Sequence, residues 1–197
     1  MTDERTIRTF LALDPPEEIL REIGRVQNRL QKVIRGDLRW VRPEAIHLTL
    51  KFFGAISGND VANISAVAGK AAAEVRPFDL AIGGAGVFPD PHRPRIIWLG
   101  MSGDAARLVN FQQGMERTLR KIGFPGEERP FRPHLTLGRI KIPKGLTGLT
   151  GVLEKGETYT AGRFTATGLG LFKSDLTPRG AVFSRLAGYP FAGQEGA

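Results

Sequence analysis

His47-Leu48-Thr49-Leu50 recurs 87 residues later as His134-Leu135-Thr136-Leu137. One tetrapeptide can recur by chance. The same offset, however, carries the amphipathic stretch 16–34 onto 103–121 and Arg8–Leu13 onto Arg95–Gly100. Phe78, 31 residues after the first histidine, has a counterpart in Phe164, 30 after the second. Both glycine-bearing stretches that follow end in phenylalanine, Phe88 and Phe172. Elements that share one offset define an internal repeat. The chain reads as two similar βαβ-containing lobes in a single domain, with units of approximately 5–90 and 92–175 and a final strand at 181–187. No break in composition marks a linker between them. A pseudo-two-fold axis would set the equivalent strands face to face across a cleft.

The local patterns supply the elements. Ile7–Leu13 alternates as a strand, and Asp14-Pro15-Pro16-Glu17 looks like a helix start with Asp14 as N-cap. Ile19, Ile23, Val26, Leu30 and Val33 recur at helical spacing, and Gly36-Asp37 ends that helix. Further strands are expected at 46–53, 78–88, 95–100, 133–140, 163–172 and 181–187. Further helices are expected at 58–75 and 104–122, with a short one near 146–154.

Composition narrows the chemistry. A chain of 197 residues with 41% apolar and 24% charged residues is long enough to bury a core. Lysine and arginine number 28 against 20 acidic residues, a formal charge of +8. That excess is either a surface that meets phosphates or simply a solubilising charge. There is no cysteine, which excludes a disulfide scaffold, a thiol nucleophile and Cys-ligated metal. No apolar run approaches a membrane span, and Met1-Thr2-Asp3-Glu4-Arg5 lacks an apolar leader, so a cytoplasmic protein without membrane contact is expected. No heptad seam is evident, and a monomer is the default expectation.

Alternate residues of a strand share a face. His47 and Thr49 therefore point one way and Leu48 and Leu50 the other; the same holds for His134 and Thr136 against Leu135 and Leu137. The leucines are the natural core pair, which leaves two imidazoles and two hydroxyls to converge. In-line displacement at phosphorus needs a base for the attacking oxygen and an acid for the departing one, on opposite sides. Two histidines can divide those roles near neutral pH. Threonine hydroxyls can hydrogen-bond the non-bridging oxygens, and the reaction requires neither metal nor cofactor. Lys51 shares the alternation of His47, and Arg132 and Arg139 flank the second motif as further phosphate-facing charge. A two-histidine metal site is the competing reading, and no acidic partner lies near either motif.

Other residues stay open. Phe10, in a strand where Leu11 and Leu13 suit the core, either faces the cleft and stacks a base or fills the core. Trp40 is a core residue or a second stacking platform. His92 lies in the loop Pro89-Asp90-Pro91-His92-Arg93-Pro94 and has no repeat partner. Gly83, Gly84 and Gly86 do not have dinucleotide-binding spacing.

The residues around the motifs extend the pattern. They are Arg8–Leu13, Trp40-Val41, His47-Leu48-Thr49-Leu50-Lys51-Phe52-Phe53-Gly54, Phe88-Pro89, Arg95–Gly100 and Pro130-Phe131-Arg132-Pro133-His134-Leu135-Thr136-Leu137-Gly138-Arg139. Over nearly the whole chain they resemble the two-histidine (2H) phosphoesterases, and within them the RNA 2′,3′-cyclic phosphodiesterases, also called 2′-5′ RNA ligases. The resemblance implies a bilobal α+β fold with two pseudo-symmetric lobes, each an antiparallel-rich sheet with helices outside, around a basic cleft. It implies metal-free hydrolysis of a terminal 2′,3′-cyclic phosphate to a 2′-phosphate, with reversible 2′-5′ ligation of RNA ends. The implied partners are RNA ends bearing that cyclic phosphate, tRNA-like fragments among them. By the same resemblance His47, Thr49, His134 and Thr136 are catalytic, Arg139 lies near the phosphate and Phe10 near the substrate. His47 would protonate the departing 3′ oxygen and His134 activate water. Ser174-Asp175-Leu176 and Gly180-Ala181 match the C-terminal pattern, but Phe183 stands where tyrosine is common. Two other functions compete: a non-catalytic RNA-binding or nucleotide-binding module, and an enzyme for a small cyclic nucleotide.

Overall fold

The structure, a computed structural model, describes residues 6–178 and 180–192. Met1 to Arg5, expected above to form a polar start, lie outside them, as does Arg179. The elements run β1 (Ile7–Leu13), α1 (Glu17–Val33), β2 (Arg35–Trp40), β3 (Leu48–Ile56), α2 (Gly58–Ala73) and β4 (Phe78–Phe88). They continue with β5 (Ile96–Gly103), α3 (Ala105–Lys121), β6 (His134–Thr147), α4 (Leu149–Glu154), β7 (Thr160–Ala166), β8 (Gly168–Thr177) and β9 (Gly180–Pro190). Every described strand pairing is antiparallel. Four strands form one sheet, in the order β3-β1-β8-β9, and five the other, β2-β6-β5-β4-β7. No described helix is long and apolar enough to cross a membrane.

The two sheets obey one plan. Reading β3-β1-β8-β9 beside β6-β5-β4-β7, each begins with a histidine-motif strand and continues with the first strand of the same repeat. The third place then goes to a strand of the other repeat: β4 completes the second sheet and β8 the first. The sequence repeats therefore do not map one to one onto the sheets. The expected single strand 163–172 is two strands, because the chain passes from one sheet to the other at Thr167.

Strand register corrects the repeat alignment by one residue. Leu13 pairs with Leu48 and Leu99 with Leu135, so β1 and β5 superimpose at an offset of 86, not 87. Only that offset keeps the faces consistent. Leu11 and Leu13 match Ile97 and Leu99 in the main core, while Phe10 and Ala12 fall on the opposite, cleft-side face. By the same register Phe172, opposite Phe10, corresponds to Phe88, opposite Ile96.

Helices cover the sheets on the core side. Ile19, Ile23, Val26 and Leu30 of α1 are buried, and Val33, at the end of the helix, is exposed. Asp14 does not cap α1. Pro16 takes the N-cap position without a side-chain bond, and Asp14 instead pairs with Arg185 of β9 at 2.6 Å. The capping box lies on α2, where Ser57 and Asp60 satisfy each other's backbone amides. Gly86 is needed for packing: a Cβ there would sit 2.2 Å from the Trp98 ring, which lies flat on it.

Candidate active site

The cleft begins with two bulges. Opposite Leu11 and Ala12 of β1, the partner in β3 jumps from Lys51 to Thr49, so Leu50 is an extra residue. Opposite Ile97 and Trp98, the partner in β6 jumps from Gly138 to Thr136, so Leu137 is extra. A bulge bends its strand and re-aims the next side chain. After each one the alternation inverts, which brings Phe52 of β3 and Arg139 of β6 onto the cleft face beside the motif residues.

A bulge also takes a carbonyl out of the regular ladder, and a buried carbonyl needs a donor. Two buried glutamines on helices of the opposite repeats donate to these carbonyls, and Leu137 O also accepts from the Val41 backbone N–H at 2.8 Å. Gln27 Nε2 on α1 donates to Leu137 O at 2.9 Å and to Val41 O at 2.7 Å; Gln112 Nε2 on α3 donates to Leu50 O at 3.1 Å. Each motif strand is thus held from the other repeat. The available signal was a glutamine on the apolar face of each helix: Gln27 beside Val26 and Gln112 beside Phe111.

The resulting cavity is about 720 Å³. Thr49 and Phe52 come from β3 and His47 from the residue just before it, Thr136 and Arg139 from β6, and Arg8 and Phe10 from β1. His134 is half-buried at the head of β6, two residues before Thr136 and on the same strand face, but unlike Thr136 it is not among the residues that line this cavity. The Arg139 charge acts on both imidazoles. No carboxylate lines the cavity among the described residues, whereas Arg8, Arg39, Arg42 and Arg139 all do.

The two imidazoles are held alike. His47 Nδ1 lies 3.0 Å from the carbonyl of Ala45, and His134 Nδ1 lies 2.7 Å from that of Arg132. A carbonyl only accepts, so in each ring Nδ1 carries the proton and donates it. In the neutral ring Nε2 is then the basic nitrogen. Burial lowers both histidine pKa values from their ordinary 6.5, and the Arg139 charge adds to that in each; the backbone bonds oppose it, as does Asp14 at His47 alone.

Their packing differs. His47 stacks on Phe10 at 4.6 Å between ring centres and takes the edge of Phe183 at 4.9 Å. His134 meets a ring edge-on, Phe88 at 4.9 Å. Phe183, with no hydroxyl, serves here as a wall for His47.

Three expected residues are placed differently. Lys51 does not reach the cleft: the Leu50 bulge turns it into the core, where it is 3% exposed. There its Nζ donates to Glu116 at 2.9 Å and to the Pro125 carbonyl at 2.8 Å. Arg132 contributes its carbonyl to His134, and its exposed side chain is not among those that line the cavity. Phe10 is on the cleft side but 2% exposed, its faces covered by His47 and Phe172. It carries the imidazole and has no free face for a base.

Other residues line the cavity too, and of these Arg39, Arg42 and Thr177 were not anticipated. Arg39 and Trp40 arrive on β2, an edge strand, and Arg42 follows it. Arg39 pairs across the ladder with Arg139, which concentrates positive charge at one point of the wall. Ser174, Leu176, Thr177 and Ala181 close the far side from β8 and β9. Trp40 lies half-buried over Gly138. His92 is exposed in the 89–94 turn, with its amide bonded to Asp90.

Known proteins resemble this chain in sequence and in fold. A model of the LigT-like phosphoesterases matches the chain twice, over residues 13–98 and 99–183. An RNA 2′,3′-cyclic phosphodiesterase of Methanothermobacter thermautotrophicus is 33% identical over 90% of this chain and 95% of its own length. One of Aeropyrum pernix is 34% identical over 76% of this chain and 84% of its own. Among solved structures, a Thermus thermophilus protein has a TM-score of 0.75 at 26% identity, covering 95% of this chain and all of that one. The Escherichia coli LigT complex with 3′-AMP has a TM-score of 0.72 at 24% identity, covering 94% of this chain and 98% of that one, and shares the fold.

Proposed function

The chain belongs to the LigT-like phosphoesterase family, and from that premise we propose that it is an RNA 2′,3′-cyclic phosphodiesterase, a hydrolase of phosphoric diesters. The observation that carries the reading is the matched pair of imidazoles. Each has Nδ1 tied to the carbonyl two residues before it and a motif threonine two residues after it, and the Arg139 charge acts on both.

The reaction follows from that set. The cyclic phosphate lies between the motif strands, with its non-bridging oxygens toward Thr49, Thr136 and Arg139. His134, neutral, takes a proton from water through Nε2. The water oxygen attacks phosphorus in line with the 3′ oxygen, and the P–O3′ bond breaks as the new P–O bond forms. His47, protonated, gives its proton to the departing 3′ oxygen. The products are a 2′-phosphomonoester and a 3′ hydroxyl; exchange with solvent resets both rings. If an RNA 5′ hydroxyl replaces water, the same transfers make a 2′-5′ bond. Asp14 supports this assignment, because the one carboxylate that opposes the lowering of either ring acts on His47. The bound phosphate anion adds to that effect.

The reading includes independence from metal and an RNA-processing role in the cytoplasm, by a monomer. Among the described residues no cluster of three His, Asp or Glu side chains is placed to hold a metal ion. The test is hydrolysis of 2′,3′-cyclic AMP and of an oligonucleotide ending in a cyclic phosphate, both with EDTA, with the products resolved by position. Turnover of both to the 2′-phosphate is expected. RNA binding without turnover would favour the binding module instead, and turnover of the mononucleotide alone would favour the small-nucleotide enzyme.

The pH dependence has a definite sign. In free enzyme the base must be neutral and the acid protonated, and both histidine pKa values lie below 6.5. The acidic limb of kcat/KM belongs to the base and the basic limb to the acid, so the optimum of kcat/KM falls below pH 6.5. The substrate anion favours imidazolium, so the basic limb of kcat lies at higher pH than that of kcat/KM. A kcat/KM optimum well above pH 6.5 would contradict the assignment.

A further inference from the structure

The two bulges present different side chains at equivalent places. In β6 the residue re-aimed into the cleft is Arg139, opposite Ile96; in β3 it is Phe52, opposite Phe10. A second register shift between Thr9 and Phe10 leaves Phe52 between two irregularities, at Leu50 and at Phe53. Phe53 packs inward against Phe124, with 5.2 Å between ring centres. Phe52 is instead 40% exposed on the cavity wall, although regular alternation from Thr49 would have turned it inward. The Arg8 guanidinium lies over its ring at 4.5 Å, and Leu176, 72% exposed, lines the same cavity. An exposed phenylalanine is costly to leave in water, and this one sits in a basic cleft with a cation on one face.

A phosphate on the pseudo-two-fold axis is nearly symmetric, but an RNA end is not. A cyclic phosphate closes the 3′ end, so the chain can leave the site only in the 5′ direction. Phe52 is roughly 7–10 Å along the strand from Thr49, beyond the place of the reacting phosphate. The terminal nucleoside fills that interval. We infer that Phe52 and Arg8 form the subsite for the second nucleotide of an RNA end, in which the base 5′ to the cyclic-phosphate nucleotide stacks on the Phe52–Arg8 pair and the intervening phosphodiester faces Arg8. Bases stack on aromatic rings and guanidinium planes without regard to sequence, so the subsite selects chain length and not base identity. The stacking role expected of Phe10 belongs to Phe52, because the Phe10 ring is already covered by His47 and Phe172.

This inference rests on the phosphodiesterase reading and is tested separately from it. The probes are 2′,3′-cyclic AMP and a diadenosine dinucleotide ending in a 2′,3′-cyclic phosphate. The readout is the ratio of their kcat/KM values, in the unaltered protein and in Phe52→Ala, Phe52→Trp and Arg8→Gln. Phe52 is exposed, so its truncation leaves the core intact. A dinucleotide preference in the unaltered protein is expected, falling about tenfold in Phe52→Ala, mainly through KM, and kept in Phe52→Trp. Arg8→Gln lowers the ratio and flattens its salt dependence. An unchanged ratio in Phe52→Ala, or an equal loss on both substrates, overturns the subsite; the second result would assign Phe52 to the terminal nucleoside. Failure of the unaltered protein to turn over either probe overturns the phosphodiesterase reading, and the subsite with it.

Discussion

Replacement of His47 or His134 by alanine is expected to lower kcat for 2′,3′-cyclic AMP by about 10²–10⁴-fold, the usual worth of a positioned general acid or base. The prediction is sharper than a loss of activity, because the residual rates carry a signature. His47→Ala removes the acid, so its remaining turnover loses the basic limb and no longer falls at high pH. His134→Ala removes the base and loses the acidic limb. An exchange of the two signatures would reverse the roles without harming the two-histidine mechanism. Either variant keeping a tenth of the original kcat would sink the mechanism. His47 lies between Phe10 and Phe183, so alanine there leaves a gap between rings. His47→Gln fills more of that space and transfers no proton at neutral pH. It should be as inactive as alanine while melting at the original temperature, which separates chemistry from packing.

The second large effect is on stability, and it concerns Lys51. Its side chain is buried with that of Glu116, and the Pro125 carbonyl and Glu127 amide complete the group. Removal of one member of a buried pair strands the other charge, at a cost of about 3–5 kcal/mol. Lys51→Met should therefore lower Tm by on the order of 10 °C. The second carboxylate oxygen of Glu116 is already buried without a partner, so the site has little capacity to absorb the loss. Lys51→Met combined with Glu116→Leu should recover most of the stability, since an apolar pair of similar volume has no charge to strand. Denaturant midpoints for the four proteins of this cycle check it. A Lys51→Met protein that melts with the original would show that water reaches the pair.

The motif residues were legible because their chemistry and their spacing agree. Imidazole, hydroxyl and leucine in strict alternation, repeated, define a face as well as a reaction. Lys51 was misplaced by the same rule. Alternation assumes a regular ladder, and an extra residue such as Leu50 has no mark of its own in composition; it becomes visible only when β1 lies beside β3. Leu137 inverts the face in the same way, which is how Arg139 comes to point inward. β2 has no strand signature in the sequence, because Arg35, Gly36, Asp37 and Arg39 carry no apolar alternation, as befits a solvated sheet edge. Asp14 looked like a cap from sequence, yet its carboxylate finds Arg185 on a strand 171 residues away. The repeat itself was plain, but similarity between two segments does not say in which sheet each strand lies.

That exchange of strands bears on how the cleft can move. The backbone passes between the sheets four times, from β1 to β2, β2 to β3, β3 to β4 and β7 to β8. Without the other repeat, β1 would lose its neighbour β8, and β5 its neighbour β4. The crossings act as stitches through two layers, and the glutamine ties from each helix to the opposite motif strand draw the seam tight. A jaw needs a narrow hinge, and no single crossing here can turn while the other three stay still. The width of the cleft is therefore set once, when the two sheets form.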